Sequence, residues 1–233
     1  MPGRADGIPA VVIPAYQAAA TVGHVVAGVR SAVPSAPIYV IDDGCTDGTG
    51  EGGRAGGATV LRHPANLGKG AALASGIARA LADGATLIVT LDADGQHAPE
   101  LIPALVAPLA DGRADLVLGA RVRTGEMPLG RRLTNWLSAA LASRVGDQAV
   151  PDAQTGFRAF SSRLAAAVRP PERYYDYETA FLLGALAAGF RVWSVPVPTI
   201  YRGAPSHFRP WADTWRLARV FARYGPRILA GGR

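Results

Sequence analysis

Hydrophobic residues in the first 120 positions follow two alternating patterns. Short runs of β-branched and other apolar residues predict strands at Ala10–Ile13, Ile38–Ile41, Thr59–Leu61, Leu87–Leu91 and Leu116–Leu118. Alanine-rich segments of helical length lie between them, at Thr21–Val33, Gly70–Leu81 and Pro99–Ala110. The runs are too apolar for half-exposed antiparallel strands. This alternation predicts an α/β fold, Rossmann-like, with a mostly parallel sheet flanked by helices.

The pattern changes after residue 120. Helices are predicted at about Arg131–Arg144 and Tyr177–Ala188, and a short GFRAF segment separates them. A strand-like RVWSVPVPTIY and an amphipathic stretch from Trp211 onward follow. The glycine-rich GTGEGGRAGGATV is interpreted as a loose connection without a role. No linker is long enough to separate independent domains.

Composition adds limits on size and location. The chain has 233 residues, 49% of them hydrophobic, which is enough for one sizeable core. Its one cysteine, Cys45, rules out an internal disulfide and fits a reducing compartment. No apolar stretch has the length of a signal peptide or a membrane span, so a cytoplasmic, non-transmembrane protein is expected.

The net charge of +6 is concentrated near the C-terminus. Residues 202–233 hold seven of the 24 basic residues and one of the 18 acidic ones, so residues 1–201 hold 17 of each. Such a tail indicates an anionic partner. Its arginines recur at helical spacing beside an apolar face, which favours a helix lying on an anionic membrane. The alternative is a terminal helix packed on the core with a solvated arginine face.

Two carboxylates end the fourth predicted strand, in TLDADGQH. Asp92 and Asp94, at positions i and i+2, project to the same side of an extended chain and would repel each other. A divalent cation would relieve that repulsion, and Mg²⁺ or Mn²⁺ prefers one or two carboxylates plus substrate phosphate oxygens. The alternative for an isolated motif of this kind is a polar turn that caps the next helix.

Two further polar groups occupy strand ends. Asp42 and Asp43 follow the second strand, where carboxylates could bind a ribose hydroxyl or a base N–H. The alternative is an N-cap for the next helix, supplied by Thr46 or Asp47, and the two are compatible. Lys69 is the only lysine in a chain whose other basic residues are arginines, and it lies at a predicted helix start. Backbone N–H groups there favour anions, although a lone lysine could also be chance.

Several enzyme classes lack their sequence motifs here. There is no GxGxxG after the first strand, no Walker A, no GxSxG and no HExxH. The four histidines are scattered, which makes a zinc site improbable. Stacking aromatics are too sparse to predict a nucleic-acid partner.

The strand ends, read in order, resemble family 2 glycosyltransferases of the GT-A fold. The segments are VVIPAYQ, VIDDGCTDGT, NLGKGAAL, TLDADGQHAPE, DLVLGAR, DAQTGFRAF and YRGAPSHFRP, and they cover about residues 8–216. The resemblance is to the dolichyl-phosphate mannose synthase and bacterial polyprenyl-phosphate glycosyltransferase type. It implies a catalytic domain over residues 1–209, with residues 210–233 as a basic amphipathic segment.

The resemblance also implies residue roles. The donor nucleotide would be bound by Pro14, Ala15, Tyr16, Asp42, Asp43, Lys69, Asp92 and Ala93, and the metal by Asp92, Asp94 and Gln96. The acceptor phosphate would be bound by Arg121, Arg131, Asn135, Arg202 and Ser206, and the acceptor side completed by Gln154, Arg158 and Glu178. Asp94, Asp152 and Arg121 would be the catalytic residues.

The expected reaction is inverting, metal-dependent transfer of a hexose from a GDP-mannose or UDP-glucose type donor to polyprenyl or dolichyl phosphate. A phosphate monoester, with a second pKa of about 6, is already largely a dianion at neutral pH and needs arginines more than a base. If Asp152 is a general base, the acceptor is instead a hydroxyl of a soluble or glycan molecule. A non-catalytic sugar-nucleotide or nucleic-acid-binding protein is the third hypothesis, and the intact Asp92/Asp94 pair argues against it.

Overall fold

The protein was analysed as a computed structural model that describes residues 7–122, 129–198, 210–224 and 226, without the side chains of residues 129–137 and 210–214. Its strands are β1 (Ala10–Ala15), β2 (Ile38–Asp42), β3 (Thr59–Arg62), β4 (Leu87–Thr90), β5 (Leu116–Arg121), β6 (Arg158–Ser161) and β7 (Val192–Val197). Its helices are α1 (Val22–Ala32), α2 (Thr49–Ala55), α3 (Lys69–Ala82), α4 (Ile102–Ala110, after a 3-10 turn at Pro99–Leu101), α5 (Leu129–Gly146), α6 (Ser162–Ala167), α7 (Asp176–Ala187) and α8 (Pro210–Arg223).

The strands of the described residues form one sheet in the order β3-β2-β1-β4-β6-β5-β7. All neighbouring pairs are parallel except those of β6, which is antiparallel to both β4 and β5. The prediction of a mostly parallel α/β sheet is therefore confirmed. Because β6 is reversed, its amino end lies at the edge where the other strands have their carboxyl ends.

Two hydrophobic layers cover the two faces of the sheet. Successive strand residues point to opposite faces, so Val12 and Ile41 join the layer that contains α3, α7 and Val220 of α8, while Val11 and Val40 join the layer of α1 and α4. Burial on both faces explains why the central strands are continuously apolar. None of the helices in the described ranges has the length and apolar character needed to cross a bilayer.

The interpretation of the glycine-rich stretch as a loose connection was wrong, because residues 49–55 form α2. Its small residues reflect close packing on the sheet. A Cβ at Gly53 would lie 3.3 Å from Val40 and 3.2 Å from Val60, and one at Gly50 would lie 2.6 Å from Asp42 Oδ2. Tertiary packing here outweighs the low helix propensity of glycine.

Candidate active site

The turn after β4 carries the two carboxylates that the sequence singled out. Asp92 and Asp94 are partly buried, and Gly95 turns the chain with a φ of 73°. The Asp94 Oδ1 atom accepts a hydrogen bond of 2.9 Å from the backbone N–H of Gln96. Burial and the neighbouring charge of Asp92 raise the pKa of Asp94 above its usual value. The sequence argument about repulsion between the two carboxylates therefore holds in three dimensions.

Lys69 is the central cation of the site. Its Nζ atom lies 2.7 Å from Asp92 Oδ1 and 3.0 Å from Glu178 Oε2, with 16% of the side chain exposed. Burial alone would lower the pKa of Lys69, but the attraction of the two carboxylates outweighs it and raises that pKa. Burial likewise opposes ionisation of Asp92, yet Lys69 and His97 hold its pKa far below the usual value. Lys69 therefore links the turn after β4 to α7 through two ion pairs.

The loop before β6 packs directly against Asp92. The Thr90 hydroxyl donates a hydrogen bond of 3.0 Å to the carbonyl oxygen of Gly156. A Cβ at Gly156 would lie 2.7 Å from Asp92 Oδ2 and 2.9 Å from Oδ1. His97 Nε2 lies 3.5 Å from Asp92 Oδ2, and its ring packs on Phe157 at a centroid distance of 5.3 Å. Only glycine at position 156 leaves room for the Asp92 carboxylate as it stands.

Asp42 and Asp43 are buried, and their carboxylates hold neighbouring loops. Asp43 accepts hydrogen bonds of 2.9 Å from the backbone N–H groups of Leu67 and Gly68, and its Oδ1 lies 2.7 Å from His63 Nδ1. Asp42 Oδ1 accepts 2.8 Å from the Cys45 N–H. Asp43 thus fixes the loop that leads into Lys69. A direct contact of either carboxylate with a donor nucleotide stays a prediction.

The remaining residues predicted to bind the donor lie at the same edge. Pro14 and Ala15 are buried at the end of β1, and Tyr16, the next residue, is 38% exposed. Ala93 is buried between the two carboxylates, and its carbonyl oxygen accepts a hydrogen bond of 2.6 Å from the Thr21 hydroxyl. An exposed aromatic ring beside a buried, small-residue strand end could stack on a nucleobase.

Arg121, the last residue of β5, and Asp152 form a two-point ion pair. Arg121 Nε lies 2.7 Å from Asp152 Oδ2, and Nη2 lies 3.1 Å from Oδ1. The Gln154 N–H donates a further 3.1 Å hydrogen bond to Asp152 Oδ1. Burial would raise the pKa of Asp152, but the Arg121 guanidinium outweighs it and lowers that pKa. The pKa of Arg121 is raised by the same pair against the effect of its burial.

Arg158 was predicted on the acceptor side, and the structure places its guanidinium inside the protein. Its Nε, Nη1 and Nη2 atoms donate to the carbonyl oxygens of Thr155 at 2.8 Å, Glu178 at 2.5 Å and Ala153 at 3.0 Å. Burial lowers its pKa, which neighbouring carboxylates only partly offset. Arg158 therefore fastens the loop before β6 to α7. Gln154 Nε2 donates to the Ser138 hydroxyl of α5 at 3.3 Å.

Four residues predicted to bind the acceptor phosphate lie wholly or by their side chains outside the described part of the chain. Arg131 and Asn135 belong to α5, but their side chains lie outside the described residues, as do Arg202 and Ser206 entirely. The structure therefore brings Lys69, Asp92, Asp94, Arg121, Asp152 and Glu178 to one edge of the sheet.

Sequence reasoning missed two parts of this edge. One is Gly156, whose role is visible only from the space that it leaves for Asp92. The other is residues 172–175, which the sequence analysis assigned to no element; they lie against the start of α3, where the Arg173 carbonyl oxygen accepts 3.1 Å from the Ala71 N–H. The signal available was the mixture of two prolines, charges and tyrosines in RPPERYYDYE, which does not reveal a partner.

Asp92 and Asp94 are the residues that could hold a divalent cation. No three His, Cys, Asp or Glu side chains of the described residues are grouped to hold a metal without help. Two crowded carboxylates, one with a raised pKa, nevertheless fit Mg²⁺ or Mn²⁺ that takes its other ligands from substrate phosphates and water. The Asp92 carboxylate also contacts Lys69, so Asp94 is the more available ligand.

The fold and this edge are typical of enzymes that bind phosphate-bearing ligands beyond the carboxyl ends of parallel strands. The model of the family described as Glycosyl transferase family 2 matches residues 10–168. The chain belongs to this family, as its ordered segments led us to expect.

Similar proteins include enzymes with lipid-phosphate acceptors in their names. The undecaprenyl-phosphate mannosyltransferase of Micrococcus luteus is 28% identical over 82% of this chain and 83% of its own length. The UDP-N-acetylglucosamine–dolichyl-phosphate N-acetylglucosaminyltransferase of Methanococcus voltae is 33% identical over 60% of this chain and 59% of that enzyme.

A solved structure resembles the whole fold. Glucosyl-3-phosphoglycerate synthase from Mycobacterium tuberculosis, in complex with Mn²⁺, UDP and glucosyl-3-phosphoglycerate, has a TM-score of 0.74 at 26% identity. The match covers 97% of this chain and 81% of that chain. The same protein was solved with Mn²⁺, UDP-glucose and phosphoglyceric acid.

Proposed function

We propose that this protein is a metal-dependent, inverting glycosyltransferase that moves a hexose from a nucleotide-sugar to polyprenyl or dolichyl phosphate. Family membership supports glycosyl transfer. The activities for which the similar Micrococcus and Methanococcus enzymes are named support a lipid-phosphate acceptor. The proposed donor is of the GDP-mannose or UDP-glucose type.

The observation that carries the proposal is the ion pair between Arg121 and Asp152. Both oxygens of Asp152 accept hydrogen bonds from Arg121, and its pKa is lowered, so its carboxylate is a poor general base. An acceptor hydroxyl would need such a base. A phosphate dianion needs a cation to hold it, and an arginine oriented by a carboxylate suits that purpose.

On the donor side, Asp94 and Asp92, with Gln96 beside them, would hold Mg²⁺ or Mn²⁺. That cation, when bound, supplies neutralisation of the charge on the departing diphosphate. Lys69 keeps the Asp92 carboxylate ionised and fixed in place. The acceptor phosphate oxygen attacks the anomeric carbon, the carbon–oxygen bond to the diphosphate breaks, and no proton has to be transferred.

The exposed face of α8 has the composition expected for contact with an anionic membrane surface, which we propose lies on the cytoplasmic side. Val220 is buried against the core, whereas Trp215 is 68% exposed. Ala218 and Ala222, three and seven positions after Trp215, are also exposed, and so is the charged Arg219. The helix therefore packs on the core and still presents a partly apolar, basic stripe, the composition of a peripheral membrane helix.

Donor turnover with and without acceptor tests the proposal. Purified protein would be incubated with Mn²⁺ and each common nucleotide-sugar, with and without a short polyprenyl phosphate, and released nucleoside diphosphate measured. The proposal expects release that requires the lipid phosphate and is lost in Asp94→Ala. Asp111→Ala is the matched control, because it removes an exposed carboxylate to which no role in the site is assigned, and it should keep full activity. Release only with an uncharged hydroxyl acceptor would refute the lipid-phosphate acceptor.

A second candidate is a glycosyltransferase that acts on a small phosphorylated acceptor with a hydroxyl nucleophile. The structural likeness to glucosyl-3-phosphoglycerate synthase over nearly the whole chain favours it. Including phosphoglyceric acid among the acceptors in the same assay separates the two candidates. Turnover with phosphoglyceric acid but not with polyprenyl phosphate would favour the second.

A further inference from the structure

Residues 172–175, here called the bridging segment, connect α8 with the start of α3. On one side, the Arg173 carbonyl oxygen accepts a 3.1 Å hydrogen bond from the Ala71 N–H in the first turn of α3. The Tyr175 ring also lies 5.7 Å from the ammonium group of Lys69. This bridging segment is thus in direct contact with the helix end that carries Lys69.

The packing between the bridging segment and α3 leaves no spare room. A Cβ at Gly68 would lie 2.8 Å from the Tyr174 ring, and one at Gly70 would lie 2.6 Å from Tyr177 Cβ and 2.9 Å from the Glu172 carbonyl oxygen. These two glycines flank Lys69 in the sequence. A displacement of the bridging segment would therefore be transmitted to the backbone of Lys69, because close-packed atoms cannot move independently.

On its other side, the bridging segment is held by α8. Arg223 Nη1 lies 2.8 Å from Glu172 Oε1, and the Arg216 guanidinium lies 3.9 Å from the centre of the Tyr174 ring. The Glu172 side chain is only 7% exposed, and its Oε2 atom is buried without a hydrogen-bond partner among the described residues. A buried carboxylate of this kind depends strongly on the cation that pairs with it.

We infer that Glu172 and Arg223 are positioning residues for Lys69, acting through the bridging segment. The ion pair holds residues 172–175 against the start of α3, and this contact orients the Lys69 ammonium group toward Asp92 and Glu178. The importance of this orientation for donor turnover rests on the proposed function, whereas the contact itself is independent of it. The C-terminal helix is then part of the donor site's support as well as a surface for a membrane.

The single lysine of the chain makes this inference directly measurable. Protein labelled with ¹³C- and ¹⁵N-lysine gives a single Nζ signal, from Lys69, in a spectrum that needs neither donor nor acceptor. The spectrum would be recorded for the unmodified protein and for Arg223→Gln, Glu172→Gln, the double variant and the conservative Arg223→Lys. Arg219→Gln is the matched control, because it removes the same charge from an exposed position of the same helix.

The inference expects Arg223→Gln and Glu172→Gln to move or broaden the Lys69 signal and to lower kcat/KM for the donor by about tenfold. The double variant should be no worse than either single one, since the two residues act through one contact. Arg223→Lys should retain most of the original signal, and Arg219→Gln all of it. Because Arg223→Gln leaves the buried Glu172 carboxylate without its partner, Glu172→Gln and the double variant, which leave no such charge, keep the test decisive if Arg223→Gln folds poorly.

An unchanged Lys69 signal in both single variants overturns the inference, even if turnover proves the proposed function right. A shifted Lys69 signal in a protein that turns over no donor supports the positioning contact and refutes the proposed function instead. A loss of thermal stability without any change at Lys69 would show a purely structural ion pair, and would also overturn the inference.

Discussion

Replacing Lys69 by methionine should destabilise the protein more than any surface charge change on the same helix. The substitution keeps an unbranched apolar side chain but leaves Asp92 and Glu178 without their shared cation, at sites where 26% and 8% of the two side chains are exposed. Breaking a buried ion pair by removing one partner costs about 3–5 kcal/mol. The partial exposure of Asp92 places the expected loss at the lower end, about 3 kcal/mol.

That loss can be measured by thermal and urea unfolding at pH 7 in the presence of a chelator. For a chain of this length, 1 kcal/mol corresponds to about 2–4 °C, so Lys69→Met should lower Tm by roughly 6–12 °C. Arg79→Met is the control, because Arg79 lies on the same helix and pairs with Asp83 at 2.8 Å, but 44% of its side chain is exposed. A solvated pair of this kind contributes about 1 kcal/mol or less.

Adding Glu178→Gln to Lys69→Met provides the internal check. The amide removes one of the two uncompensated charges, so the double variant should recover part of the lost stability without recovering activity. A Lys69→Met protein as stable as the Arg79→Met control would refute the electrostatic account of this site. Lack of any recovery in the double variant would place the cost in packing instead.

Three other substitutions test separate parts of the structure. Gly156→Ala should lower turnover at least tenfold by displacing Asp92, whereas Gly23→Ala, whose Cβ meets only an atom at 3.8 Å, should be silent in the same assay. Asp115→Asn should destabilise the protein at pH 7, because the Arg191 N–H and two arginines lower the pKa of Asp115 against the effect of burial. This stabilising contribution is present above the unfolded pKa of about 3.9 and is lost as the pH falls through the lower folded pKa. Urea unfolding should therefore show the stabilities of the two proteins converging in acid. Arg121→Lys should raise KM for the lipid phosphate more than KM for the donor, because a lysine cannot make the two-point contact with Asp152 that orients the guanidinium. Equal changes in the two KM values would contradict this.

Much of the site could be predicted from the order of strand ends along the chain. Parallel strands bring their carboxyl ends to one edge, so residues as far apart as Lys69 and Asp92 were expected together before any contact was known. The contacts themselves depend on side-chain direction. Sequence alone did not show that Lys69 would pair with Asp92 and Glu178, because Glu178 arrives from a helix more than one hundred residues later.

Other features could not be predicted because they depend on local space. The buried Arg158 and the partly exposed Arg121 are the same residue type near the same strands, yet Arg158 binds backbone carbonyl oxygens and Arg121 binds a carboxylate. The glycines of α2 suggested looseness, but they permit close packing on β2 and β3. Residues 172–175 have no periodic pattern, and their importance follows from their contacts with α3 on one side and α8 on the other.

The pH dependence of Asp152→Asn tests most directly the claim that a phosphate, rather than a hydroxyl, is the nucleophile. kcat/KM would be measured with polyprenyl phosphate between pH 5 and 8 for the original protein and the variant. The account predicts a loss within about tenfold and an unchanged acidic limb near pH ~6, set by the acceptor's second ionisation. A loss of about 10²- to 10⁴-fold, with disappearance of that limb, would identify Asp152 as the general base and contradict the account.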